Sequence, residues 1–252
     1  MFWQSFRSFA CVGASLLLLT AGWMSGSSSA AIIFLSESSV KLSTLINNPS
    51  AEMIAGDKRF TGFGYDFSGD MPNAEGVNVR PILDDLGDND PATGNYGLRF
   101  QGAFLDLAST PNGSDALITY MVEATRPGYL ISDAHLAGNP ALLGPYGSIS
   151  VTETFLPLGG SGEHTMRIFD DESAPTPKLV DWTYFNPPVK KLNVQKDILA
   201  KAVTVPGAPG STVTLSFVDQ TYSQIVPEPA TVAMSLIAAV GITVCLRRRN
   251  RQ

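Results

Sequence analysis

The chain is 252 residues long, 44% hydrophobic and 16% charged, with 23 Gly and 17 Pro, so it holds enough apolar material for a core and simple disorder is excluded. Setting aside residues 1–30 and 227–252 leaves 196 residues carrying 12 Lys+Arg and 22 Asp+Glu, a net of 12 − 22 = −10, which argues against a nucleic-acid partner. Both cysteines, Cys11 and Cys245, lie in the terminal apolar segments, so the body must fold without a disulfide, a CxxC pair or a thiolate zinc site.

At the N-terminus Arg7 precedes an apolar run from Phe9 to Trp23, followed by the small residues Ser25 to Ala31. That order predicts a secretory signal over 1–30, cleaved by signal peptidase after Ala30 or, alternatively, Ala31. An uncleaved anchor is the competing reading, but the run is short for a span and no basic stop follows it.

From residue 31 to 226 the sequence predicts one β-rich domain. Phe63, Tyr65 and Phe67, Ile149 and Val151, and Val213, Leu215 and Phe217 each alternate with small or polar residues, a period of two that gives a strand one inward and one outward face. Further strands are expected at Ile32 to Leu35, Val77 to Leu83, Leu98 to Leu105, Ala116 to Ala124, Tyr129 to Ala134, Met166 to Phe169, Leu179 to Phe185 and Leu192 to Leu199. Only Leu42 to Ile46 reads as a short helical turn. Turn signals punctuate the strands, among them Gly56-Asp57, Pro111-Asn112-Gly113, Gly159-Gly160-Ser161-Gly162 and Asn186-Pro187-Pro188. The expectation is an all-β sandwich or jelly roll of about ten antiparallel strands. No fixed-period repeat supports a propeller or β-helix.

Chemistry is sparse along this body. His135 and His164 stand 29 residues apart in no metal-binding spacing and read as surface or edge-strand residues. There is no GxSxG elbow, so a catalytic residue set has no support, and no cofactor is expected. Carboxylates cluster at Asp84 to Asp90 and at Asp170-Asp171-Glu172. Asp88, Asn89 and Asp90 offer alternate oxygen donors to calcium, but the spacing misses the EF-hand pattern and a solvated acidic turn is the plainer reading. Trp182 and Tyr184 share one sheet face with Val180. Exposed, they could stack on sugar rings; buried, they are core, the commoner fate of such a set.

The C-terminus carries the sharpest pattern. Val226-Pro227-Glu228-Pro229 is stiff and extended, since each proline fixes φ and removes a donor. Ala230 to Leu246 then runs 17 residues without charge, about 25 Å as a helix, and stops at Arg247, Arg248, Arg249 and Arg251. Positive residues stay on the cytoplasmic side, which places the acidic body outside. A plain single-span anchor after a proline-rich linker is the competing reading.

Pro227-Glu228-Pro229, the apolar segment and the terminal arginines resemble the PEP-CTERM sorting signal of Gram-negative bacteria. The resemblance covers residues 227–252. It implies that Pro227, Glu228 and Pro229 are recognised by a membrane-embedded exosortase, that 230–246 is a transmembrane helix, and that 247–252 is a basic cytoplasmic stop. It further implies an exported protein of an exopolysaccharide, biofilm or cell-envelope system. Stretches such as Gly56-Asp57-Lys58-Arg59-Phe60 and Ser150-Val151-Thr152-Glu153-Thr154-Phe155 are similar, more loosely, to the domain that accompanies this tail, for which no activity is implied. The resulting expectation is a structural or adhesive surface or matrix protein that is not an enzyme. A carbohydrate-binding module gripping the co-exported polysaccharide is the alternative, and a secreted hydrolase a distant third.

Overall fold

The computed structural model describes residues 33–34, 39–84, 94–157, 162–207 and 210–226. The signal peptide with Ala30 and Ala31, the acidic donors Asp88, Asn89 and Asp90, the sorting motif Pro227, Glu228 and Pro229, the apolar segment and the terminal arginines lie outside the described residues. Among the described residues no helix is long and apolar enough to cross a membrane.

The chain runs β1 (Ile33–Phe34), β2 (Val40–Lys41), α1 (Leu42–Ile46), β3 (Glu52–Ala55), β4 (Lys58–Ser68), β5 (Asn78–Asp84), β6 (Asn95–Leu107) and β7 (Ser114–Ala124). It continues with β8 (Leu130–Gly138), β9 (Ala141–Leu143), β10 (Gly147–Pro157), β11 (His164–Asp171), β12 (Val180–Val189), β13 (Lys191–Ala202) and β14 (Thr212–Ile225). One sheet has the order β1-β3-β4-β7-β13-β10-β11 and the other β12-β8-β14-β6-β5-β2, with β9 beside β14. The two sheets pack face to face as a sandwich, and every ladder is antiparallel except the two-residue parallel pairing of β1 with β3.

Period-two alternation builds this arrangement directly. Along β7, Ala116, Ile118, Tyr120, Val122 and Ala124 are buried, and along β13 Leu192, Val194, Lys196, Ile198 and Ala200 are buried while the alternate residues face outward. The helical turn α1 spans Leu42–Ile46 as expected and buries Leu42 and Leu45. β3 and β4 join through the two-residue turn Gly56-Asp57. Gly56 has φ +55°, a left-handed conformation that a side chain resists.

Two expectations need correction. The strands number more than ten, because β2, β3 and β9 are too short to show a period. Asn186-Pro187-Pro188 is not a turn between strands but part of β12, where the pairing with β8 slips between Tyr184 and Val189 and the Asn186–Pro187 bond is cis. β12 tolerates the prolines because it is the end strand of its sheet, where missing donors break no second ladder. They also blunt that edge against pairing with another chain.

The core is aromatic at its centre and polar in unexpected places. Phe60, Phe100, Phe155, Tyr120 and Tyr222 are buried with ring centroids 5.7–6.3 Å apart in neighbouring pairs. Among them sit Lys196, Glu153, Gln220 and Lys58, each at 0% exposure. Buried ionisable groups need partners, and each of these has one. Lys196 Nζ donates to Glu153 Oε2 at 2.8 Å, and Lys58 Nζ donates to Asp57 Oδ1 and Gln224 Oε1, both at 2.5 Å. Asp106, also buried, accepts from the Ser114 hydroxyl and from the Ala202 amide at 2.5 and 2.7 Å, tying β6 to β7 and β13.

Candidate functional site

Trp182 and Tyr184 are on β12 with Val180, pointing to the outer face of their sheet, and they are 57% and 67% exposed. Burial, the commoner fate of such a set, is therefore not theirs. With about 3.4 Å of rise per residue their attachment points lie roughly 7 Å apart along the strand. Phe185, the next residue, turns inward against Phe155 and His164, so β12 is anchored by one ring and presents two others.

The strand ladders extend this aromatic edge into a polar face. Trp182 is level with His135 on β8, which is level with Thr221 on β14; Tyr184 is level with Asp133, then Ser223. Val180 is level with Ala137, then Asp219, then Arg99 on β6 and Arg80 on β5. At about 4.8 Å per strand the face from β12 to β5 is roughly 19 Å wide.

Its polar groups are held in place. His135 Nε2 and Asp133 Oδ1 lie 2.9 Å apart. Burial pushes the Asp133 carboxyl up, but hydrogen bonding, including contacts with His135 and Ser132, outweighs it and holds the group below its usual value. Arg99 makes a two-point contact with Asp219, 2.6 and 2.5 Å, and lays its guanidinium 4.3 Å from the centroid of the Phe217 ring. Ser223 Oγ donates to Asn95 Oδ1 at 2.5 Å. Beside this row an open cleft of about 490 Å³ runs over the same sheet, lined by Asn78, Gln101, Thr214 and Ser216 among others. Exposed flat rings beside preset donors and acceptors suit a neutral, polyhydroxylated chain, which offers both apolar ring faces and hydroxyl edges.

The other sequence-derived candidates do not gather here. His164 begins β11 and stacks edge-on to Phe185 at 5.1 Å, away from His135. Asp170, Asp171 and Glu172 serve the local chain: Asp170 accepts from the Leu142 amide, Asp171 from Ser173, and Glu172 from the Gly147 amide, at 2.6–2.8 Å. Among the described residues no group of three or more His, Cys, Asp or Glu could hold a metal ion.

A carboxylate pair that sequence spacing did not reveal lies on the outer face of the opposite sheet, where Asp197 on β13 meets Asp115 on β7. Partial burial, and then the hydrogen bond and charge of Asp115, raise the Asp197 carboxyl from 3.8 to about 6. A carboxyl raised in the folded state contributes stability below its unfolded value that is lost as pH climbs from about 4 to about 6. Asp197→Asn removes that loss, so the variant should be more stable than the parent at pH 7 by about 1 kcal/mol after solvent screening, and the gain should vanish near pH 4. Urea titrations at the two pH values measure it.

No family model and no curated protein matches the chain. Among solved structures it is similar to a carbohydrate-binding module bound to β-1,4-galactotriose, with 13% identity and a TM-score of 0.26 over 62% of this chain and 86% of that one. It is also similar to the enzymatically active domain of tailspike protein 4 of bacteriophage CBA120, with 11% identity and a TM-score of 0.24, over 65% of this chain and 19% of that one. Carbohydrate-binding modules of the β-sandwich superfamily give 9% identity and a TM-score of 0.22, over 65% of this chain and 57% of that one. At such values these likenesses assign this chain neither ligand nor activity.

Proposed function

We propose that the protein is an exported carbohydrate-binding sandwich that uses the outer face of the β12-β8-β14-β6-β5 sheet to hold a polysaccharide. The observation that carries this reading is the exposure of Trp182 and Tyr184 side by side on β12, against the apolar preference of rings of their size. His135, Asp133, Arg99 and Asp219 supply fixed polar partners beyond them. The export half of the reading rests on the resemblance of residues 227–252 to a PEP-CTERM signal. On that reading signal peptidase releases the N-terminus and exosortase handles the tail, delivering the body to the cell surface or matrix. A purely structural or adhesive role is the second reading, favoured by the same tail.

The test is a glycan array probed with the full chain, followed by titration of the best ligand. Saturable binding to a neutral polysaccharide is expected. Trp182→Ala and Tyr184→Ala should each weaken it roughly tenfold, about 1.4 kcal/mol per stacked ring, without changing Tm by more than about 2 °C. No binding across the array, or binding indifferent to both substitutions, would remove the carbohydrate reading and leave the structural one.

A further inference from the structure

The polar groups inside the sandwich have an arrangement that a stabilising ion pair does not require. Lys196 extends from β13 in one sheet, level with Glu153 on the adjacent β10, and reaches across the core to Gln220 on β14 in the other sheet. Its Nζ is 2.8 Å from Glu153 Oε2 and 3.3 Å from Gln220 Oε1. All three side chains are fully buried. Tyr120 and Tyr222 wall the group, their hydroxyls 2.9 Å apart and the Tyr120 hydroxyl 3.5 Å from Glu153 Oε1.

An amine, a carboxamide carbonyl and a carboxyl are therefore held together where water does not compete. Burial lowers the Lys196 amine and raises the Glu153 carboxyl, opposed in each case by the other's charge. Both shifts favour the uncharged forms, a nucleophilic amine beside a protonated acid.

We propose that Lys196 and Gln220 condense into an intramolecular isopeptide bond, with Glu153 as the proton-transferring acid, so that the two sheets become covalently joined. Lys196 Nζ attacks Gln220 Cδ. The Nζ–Cδ bond forms, the Cδ–Nε2 bond breaks, Glu153 donates a proton to the departing nitrogen and recovers one from Nζ, and the only product besides the new amide is ammonia. No oxidant, cofactor or second protein is consumed.

A second lysine and glutamine, Lys58 on β4 and Gln224 on β14, also meet across the sheets with Asp57 beside them. The leaving nitrogen distinguishes the two sites. Gln224 Nε2 is tied to the Gly94 carbonyl at 2.8 Å, whereas among the described residues Gln220 Nε2 has only a 3.4 Å contact with the Thr221 carbonyl. The reaction is therefore assigned to Gln220.

The test is mass spectrometry of the full chain, intact and after proteolysis. The expected result is a protein lighter than its sequence by one ammonia, once trimming of the ends is counted, and a branched peptide joining Lys196 to Gln220. Peptide mapping is essential because Asn112-Gly113 can also lose ammonia by cyclising. Glu153→Gln, which keeps the shape but removes the acid, should give linear peptides and full mass. Unmodified Lys196 and Gln220 in the parent chain would overturn the proposal, as would loss of water with a link to Glu153, or a link at Lys58 and Gln224 alone. A link that still forms in Glu153→Gln would overturn the role given to the acid. If that variant does not fold, the map of the parent chain decides.

Discussion

Replacing Asp57 with alanine is expected to cost about 3–5 kcal/mol of folding stability, because it strips from a fully buried lysine the carboxylate that pairs with it. Lys58 would keep its contact with Gln224 Oε1, a neutral acceptor that cannot balance an ammonium. Burial already lowers the Lys58 amine from its ordinary 10.5, and the Asp57 charge and hydrogen bond work against that fall. Without Asp57 the amine falls further. Between the lowered folded value and 10.5 the unfolded chain binds more protons than the folded one, so stability rises with pH and the deficit of the variant should shrink from pH 7 toward pH 10. Chemical denaturation at several pH values measures both effects. The double change Asp57→Ala with Lys58→Met should recover most of the loss at neutral pH, since it removes charge and counter-charge together. A double variant no more stable than the single one would show that Asp57 holds the Gly56-Asp57 turn rather than the lysine.

Gly97→Ala should be of similar severity for a purely steric reason. A Cβ at this position would stand 1.7 Å from the Gln220 carbonyl oxygen and 2.7 Å from the Thr221 Cα, both backbone atoms of the paired strand β14. Neither can move without opening the β6–β14 ladder, in which Gly97 is level with Thr221. Overpacking of that kind costs about 3 kcal/mol or more, and a fall in Tm of at least roughly 6–12 °C is expected for a domain of this size. On the proposed carbohydrate reading the same variant should also lose glycan affinity while retaining Trp182 and Tyr184, because β6 and β14 carry Arg99, Asp219 and Thr221. Scanning calorimetry and titration with the array-selected ligand test the two consequences separately.

Much of the architecture was legible because alternation is a strong local signal wherever a strand buries one face only. Val213, Leu215, Ile149, Val151, Leu192 and Val194 all lie on inward faces, and the helical turn Leu42 to Ile46 appears where its apolar spacing put it. What the pattern lacked was range. β9 has three residues and β2 two, too few for a period, and the prolines of β12 mimic a turn because their effect depends on whether a strand has one neighbour or two.

The candidate face was half legible. Trp182 and Tyr184 shared a parity, but which way that parity pointed depends on β8, more than forty residues earlier in the chain, and on β14, about forty residues later. The interior polar groups left a signal that parity alone contains. Lys196 continues the inward row Leu192, Val194, Ile198, and Glu153 continues Ile149, Val151, Phe155, so a charge at an inward position marks each of them. Pairing Lys196 with Gln220 rather than with any other inward residue required the packing of one sheet on the other.

The placement of β14 has a mechanical consequence. This strand is hydrogen-bonded to β6 along one edge and to β8 along the other, and the chain leaves it at Ile225 toward the C-terminal segment. Tension applied from that end pulls along the strand axis, loading both ladders in shear, so that many hydrogen bonds must yield together instead of opening one by one. A body tethered through its C-terminus and gripped by a ligand at its face would thus resist being drawn apart by the strand nearest the anchor.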